Sequence, residues 1–390
     1  MAGVYVHIPF CRQRCSYCDF YFVTGSRDHD RFVQTVVDEI GSVPDRYRVE
    51  KIETIYFGGG TPSRLSVKQL ERICTVLDDV FVIDPAAERT IEINPEDSSP
   101  DYVAGLASLG FNRLSVGIQS FDDDSLRFML RSHTAAQARA VIDTARQAGF
   151  SQISIDLIFG LPGQEIADWM TGVAFAVDRE IPHVSTYGLT VEPRTLLNKW
   201  IRDGAQQQPD ENLMADMYLA TIDRLASAGF HHYEISSFAQ AGSESRHNGA
   251  YWRHANYLGF GPSAHSFWWD TVAARWSNVR NLRKYLESVA IGETSVDNRE
   301  ILTSDQLISE RVMLGLRTAS GVSRSELRSR YGCEFSEWGE KRITDLKTSG
   351  KLTDSASGIS LTQAGRLVSN AVTRYVCDDL AFRHVLDRRN

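Results

Sequence analysis

Tyr5-Val6-His7-Ile8-Pro9-Phe10-Cys11-Arg12-Gln13-Arg14-Cys15-Ser16-Tyr17-Cys18-Asp19-Phe20 is the stretch on which the reading of this 390-residue chain turns. Three residues separate Cys11 from Cys15, and two separate Cys15 from Cys18. Cysteine thiolates are soft ligands, and three so closely spaced suit an iron–sulfur cluster. A four-iron cluster held by three protein ligands keeps one iron open to a small molecule. Two plainer readings stand beside it: a zinc site without a fourth ligand nearby, and cysteines that share a turn by chance. The spacing departs from the paired C-x-x-C of structural zinc, which favours the cluster. Cys74, Cys333 and Cys377 are isolated and read as packing residues.

Outward from that stretch, the composition is that of a water-soluble globular chain, 42% hydrophobic and 24% charged. The length exceeds what one core usually serves, so one large domain with smaller additions is expected. No apolar run is long enough to span a bilayer, so no membrane span is predicted. The opening residues lack the basic-then-apolar order of a signal peptide, which predicts a cytoplasmic protein with reduced or metal-bound cysteines. A net charge of −8 argues against nucleic acid as the main partner.

From Gly3 to about Leu189, short apolar runs alternate with helical periods. Strands are expected at Gly3–Ile8, Ile52–Phe57, Thr90–Ile93, Arg113–Ile118, Ile153–Ile158 and His183–Leu189. Capping boxes at Ser66/Gln69 and Thr134/Gln137 open two of the intervening helices. Repeated βα units give parallel strands with right-handed crossovers. Polar residues at five strand ends (Cys11, Gly59, Glu92, Gln119 and Asp156) favour a barrel mouth over a doubly wound sheet. The fold class is therefore α/β, a partial (β/α)6 barrel over 1–235. A segment over 236–300 is dense in His, Asn, Gly and aromatic residues. A smaller winged-helix-like domain over 301–390 follows, with helices at Ser325–Tyr331 and Phe335–Ser349, a wing near 351–361 and a closing helix over Thr362–Val376. The face carrying Glu337, Glu340, Lys341 and Arg342 is mixed in charge, so DNA binding there is not expected.

The cysteine spacing after a first strand, with Gly58-Gly59-Gly60-Thr61-Pro62 after the second, resembles the radical S-adenosylmethionine superfamily. His7-Ile8-Pro9-Phe10-Cys11 narrows the resemblance to the coproporphyrinogen dehydrogenase-like branch. What it implies is a partial radical-SAM barrel with a 4Fe-4S cluster on Cys11, Cys15 and Cys18 and S-adenosylmethionine on the open iron. Such a cofactor carries the difficult chemistry while the protein positions it. The resemblance also implies cofactor-binding positions at Tyr5, Tyr17, Gly59, Gly60, Thr61, Glu92, Gln119, Arg131 and Asp156.

Two departures refine the branch. Members that oxidise coproporphyrinogen carry a fourth cysteine two residues after the third, where this chain has Phe20. His247-Asn248-Gly249-Ala250-Tyr251-Trp252 resembles the HNxxYW motif of the haem chaperones in this family. Imidazole is a common axial ligand of haem iron, so the resemblance makes His247 the expected haem-attachment residue, with His254 and His265 as local competitors. The expected partners are haem, acceptor haemoproteins at the membrane face and a reductant for the cluster. Oxygen-independent coproporphyrinogen III dehydrogenase is the alternative.

Overall fold

Short runs rich in Val, Ile, Leu and Phe become the central parallel strands in a computed structural model that describes residues 2–25, 27–48, 50–377 and 381–384. In chain order these are β1 (Ala2–Ile8), β2 (Ile52–Gly59), β3 (Ile83–Ile93), β4 (Arg113–Gln119), β5 (Gln152–Phe159) and β6 (His183–Gly188), each paired in parallel with the next. Helices α1 (His29–Gly41), α2 (Val67–Val80), α3 (Pro100–Ser108), α4 (Ala135–Gln147) and α5 (Ile166–Asp178) make the crossovers. Val4, Val6, Ile91, Leu114 and Ile155 are fully buried, as strands covered on both faces require. Both expected capping boxes form, with each hydroxyl accepting from a backbone N–H and each glutamine returning the bond.

The second half extends the same sheet. After α6 (Glu211–Ser227) come β7 (His231–Glu234), β8 (Ser237–Ala239), α7 (Arg246–Trp252), β9 (Asn256–Phe260), β10 (His265–Trp269), β11 (Ala273–Asn278), α8 (Leu282–Ala290) and β12 (Val296–Ile301). The sheet order is β12-β11-β10-β9-β1-β2-β3-β4-β5-β6-β8-β7. It is linear and mostly parallel, a barrel that stays open. β9 lies parallel to β1, and β10 to β12 fold back antiparallel. Residues 236–300, read as a connecting segment, thus add five strands to the main sheet. Of these, β12 escaped the pattern because Val296–Ile301 is exposed or half-exposed throughout.

One buried carboxylate ties the two halves. Glu39 of α1 accepts hydrogen bonds from Gly261 N (2.8 Å), Asn278 Nδ2 (2.7 Å), Tyr285 Oη (2.6 Å) and Ser295 Oγ (2.6 Å). Burial raises its pKa, and these four donors oppose the rise.

The C-terminal part has its own core around Leu307, Val312, Leu327, Ile343 and Ile359. Its elements are α9 (Ser304–Leu316), β13 (Val322–Ser323), α10 (Arg324–Tyr331), α11 (Glu337–Thr348), β14 (Leu352–Asp354) and β15 (Gly358–Leu361). The three strands form one antiparallel sheet, the wing of the expected helix-and-wing arrangement. The closing helix is two pieces, Gln363–Leu367 and Ser369–Val376, rather than one. Among the described residues no helix is long and apolar enough to cross a membrane.

Candidate functional site

The cysteine loop leaves β1 and is pinned from several sides. Ser16 N donates to Met129 O (3.1 Å), Leu197 N to Ser16 O (2.8 Å), and Gln13 Nε2 to Leu130 O (2.6 Å). Cys11, Cys15 and Cys18 are all free thiols on one cavity of about 760 Å³ at the C-terminal ends of the strands. Among the described residues no three His, Cys, Asp or Glu side chains are placed to hold one metal ion. A cluster makes a different demand, because each thiolate binds its own iron. Burial pushes the Cys11 thiol up to about 12, opposed by the Thr61 hydroxyl, which donates to its Sγ at 3.7 Å. Cys18 is raised by burial as well.

All the expected cofactor-binding positions and His247 line this cavity, namely Tyr5, Tyr17, Gly59, Gly60, Thr61, Glu92, Gln119, Arg131, Asp156 and His247, whereas the competitors His254 and His265 lie on a neighbouring one. The strand ends bring them there, as the repeated βα pattern predicts. Arg131 is the most connected. Its Nη2 donates to Asn94 Oδ1 (2.7 Å) and Gly117 O (2.8 Å), and its Nη1 to Cys15 Sγ (3.5 Å). Burial alone would lower its pKa, but Tyr17, Cys15 and Glu96 hold it above the ordinary value. Its Nε is buried without a hydrogen-bond partner. Buried donors are normally satisfied, so this one marks room for an acceptor from a ligand. Gly117 leaves room for these contacts, since a Cβ there would lie 2.9 Å from Asn94 Oδ1 and 3.3 Å from Arg131 Nη2 and would push those side chains aside.

Glu92 and Asp156 give the cavity its charge. Glu92 accepts from Tyr56 Oη (2.8 Å) and from Gly59 N (3.1 Å). Burial nevertheless pushes it up to about 7, with Asp156 adding repulsion. Burial also lifts Asp156 to about 6, against the hydroxyls of Ser185 and Ser115. Neither carboxylate has an ion-pair partner among the described residues, so a cationic ligand group would find both waiting. Gly59 sits at φ +113, and a Cβ on it would fall 2.5 Å from the His7 ring. That ring is fixed in one tautomer: Nε2 donates to Tyr21 O (3.2 Å), leaving Nδ1 to accept from Tyr5 Oη (3.1 Å). Gln119, at φ 65 where β4 breaks register with β5, is a non-glycine held in the left-handed region.

His247 is placed differently from its expected role. It is 1% exposed, at the floor of the cavity, stacked on Tyr56 at 5.0 Å. Nδ1 is 2.8 Å from Thr54 Oγ1, and Nε2 is 2.8 Å from Tyr251 Oη. Burial lowers its pKa to about 3, so the ring is neutral. Both nitrogens are therefore committed, and direct iron ligation would require Tyr251 to release Nε2. Glu88 anchors the helix beneath it, accepting from the backbone N–H groups of Arg246 (3.0 Å) and His247 (2.9 Å). Sequence reasoning missed Tyr56, Asn94 and Tyr251 as parts of the cavity wall. Tyr251 lay inside a quoted motif, Tyr56 two residues before one and Asn94 two residues after Glu92, but nothing in the sequence marked their partners.

Comparison with known proteins agrees with this geometry. Residues 5–176 match the radical SAM superfamily, and residues 302–368 match the HemN C-terminal domain. Haem chaperone HemW of Lactococcus lactis is 35% identical over 97% of this chain and 98% of its own. HemW of Bacillus subtilis is 35% identical over 95% and 98%. The bovine mitochondrial radical S-adenosyl methionine domain-containing protein 1 is 30% identical over 95% and 86%. The crystal structure of coproporphyrinogen III oxidase (HemN) of Escherichia coli has the same fold, with a TM-score of 0.82 at 24% identity over 96% and 89%. With 35% identity to relatives matched over nearly their whole length, and with both family models met, the chain belongs to the HemW family of haem chaperones, within the radical SAM superfamily.

Proposed function

We propose that the chain is a haem carrier that holds a 4Fe-4S cluster and S-adenosylmethionine and passes haem to acceptor haemoproteins at the cytoplasmic face of the membrane. The carrying observation is Phe20. It is 73% exposed at the cavity rim, where a coproporphyrinogen-oxidising relative would have a fourth cysteine, and the chain matches haem chaperones over nearly its whole length.

Cys11, Cys15 and Cys18 would hold the cluster, with Arg131 placing a fixed positive charge beside Cys15. Tyr5, Tyr17, Gly59, Gly60, Thr61, Glu92, Gln119, Arg131 and Asp156 would receive S-adenosylmethionine. The residues fit that ligand in charge: buried carboxylates at Glu92 and Asp156 suit its cationic groups, and the orphan Nε of Arg131 suits its carboxylate. When bound, the pair supplies one-electron chemistry, and a reducing partner must feed the cluster. The chain's own residues orient the ligand and keep the carboxylates out of water. His247 keeps its family-implied part in haem attachment only if Tyr251 gives up Nε2.

The test is a paired assay on one anaerobically reconstituted sample. Added haem should give a saturable Soret band, and coproporphyrinogen should remain unoxidised under reducing conditions. Turnover of coproporphyrinogen without saturable haem binding would overturn the reading in favour of the dehydrogenase.

A further inference from the structure

A second cavity of about 690 Å³ opens beside the first and shares Tyr5, Gly59, Glu92 and Tyr251 with it as a common wall. Pockets of this size take ligands as large as cofactors. Its aromatic side comes from paired strands. Tyr257 of β9 lies opposite Phe267 of β10, and Phe267 lies opposite Arg275 of β11. His265 precedes Phe267 by two residues, so it projects from the same face of β10.

Four histidines line the two cavities: His7, His247, His254 and His265. His7 and His247 have both nitrogens engaged. His254 is 5% exposed, with Nδ1 3.1 Å from Tyr331 Oη and Nε2 3.4 Å from Glu310. His265 differs from all three. It is exposed, and its ring has no hydrogen bond or ion pair among the described residues, only its backbone being paired, with the strand that carries Ser277. Partial burial and the nearby Arg275 lower its pKa, so the ring is unprotonated at neutral pH.

The two guanidinium groups on this cavity are also unequal. Arg275 is neutralised by Glu300 and by Glu310 at 2.7 Å. Arg280 is exposed, donates to the backbone carbonyl of Asp19 (2.9 Å), and has no carboxylate partner among the described residues. An apolar aromatic wall, a free imidazole and an unneutralised guanidinium together match a flat macrocycle bearing an iron and carboxylate arms.

Resting on the haem-carrier reading, we propose that this side cavity is the haem seat, with His265 the axial ligand of the iron and Arg280 the partner of a propionate. Phe20, at the lip common to both cavities, would cover an apolar edge of the ring.

The experiment is a haemin titration of the full-length protein, wild type against His265→Ala, His265→Gln, His247→Gln and Arg280→Glu, read by Soret position and by spin state in electron paramagnetic resonance. Circular dichroism checks that each variant is folded. Wild type should give the high-spin ferric spectrum and Soret position of a haem with one imidazole ligand. Both His265 variants should lose that Soret position and bind about tenfold or more weakly. Stoichiometric added imidazole should restore it in His265→Ala. Arg280→Glu should weaken binding several-fold without moving the Soret band. An unchanged spectrum in both His265 variants would overturn the assignment, and its simultaneous loss in His247→Gln would move the ligand there. Failure of the wild-type protein to bind haem would instead overturn the haem-carrier reading itself.

Discussion

Glu92→Gln should make the ligand-free protein more stable while weakening its hold on S-adenosylmethionine. In the folded chain Glu92 is buried and its pKa is pushed from 4.5 up to about 7. That rise corresponds to roughly 3 kcal/mol of ionisation penalty at pH 8, since each pKa unit is worth about 1.4 kcal/mol. Glutamine removes the charge but imperfectly replaces the acceptor set for Tyr56 Oη and Gly59 N, a loss of about 1 kcal/mol. The net expectation is a gain of about 2 kcal/mol at pH 8. The sign has a pH signature. A carboxyl whose folded pKa is raised takes up a proton on folding, so wild type gains stability as pH falls from about 7 toward 4.5. The advantage of the variant should therefore shrink between pH 8 and pH 5. Urea denaturation of both ligand-free proteins at the two pH values measures this, and calorimetric titration measures the affinity. A variant less stable than wild type at pH 8, or a difference independent of pH, would refute the electrostatic argument.

Three further outcomes follow from the same geometry. His247→Ala strips partners from the hydroxyls of Thr54 and Tyr251 and empties a stacked site, so it should cost about 2–4 kcal/mol in urea denaturation without any haem present. Gly117→Ala should press Asn94 and Arg131 apart, costing about 1–3 kcal/mol and lowering the iron and sulfide content after anaerobic reconstitution. Phe20→Ala, at an exposed position, should leave the denaturation midpoint within about 0.5 kcal/mol of wild type while raising the rate of haem loss to an acceptor apoprotein.

What the sequence carried plainly was local. Each βα unit announces itself through its own apolar period and its own cap, and the strand-end residues follow once the units are placed. Thirteen residues could thus be assembled around one cavity from spacing and family motifs. The second half was opaque because β10 to β12 are antiparallel strands with polar or mixed faces, which no alternation betrays. His247 was legible only in part. A motif identifies the residue, but whether its nitrogens are free depends on Thr54, 193 positions away in sequence. The same holds for His265, named from the sequence only as a local competitor, whose ring has no such partner among the described residues.

The place of β1 in the sheet carries one more consequence, for biosynthesis. β1 is the first strand made, yet it lies in the interior, hydrogen-bonded to β2 on one edge and to β9 on the other. Its second edge stays open until residue 260 has left the ribosome, about 10–50 s later at ordinary rates of synthesis. An open edge beside the nascent cysteine loop invites wrong pairing for all of that time. Insertion of the proposed cluster would therefore belong after translation, on a chain whose β1 is among the last strands to be enclosed.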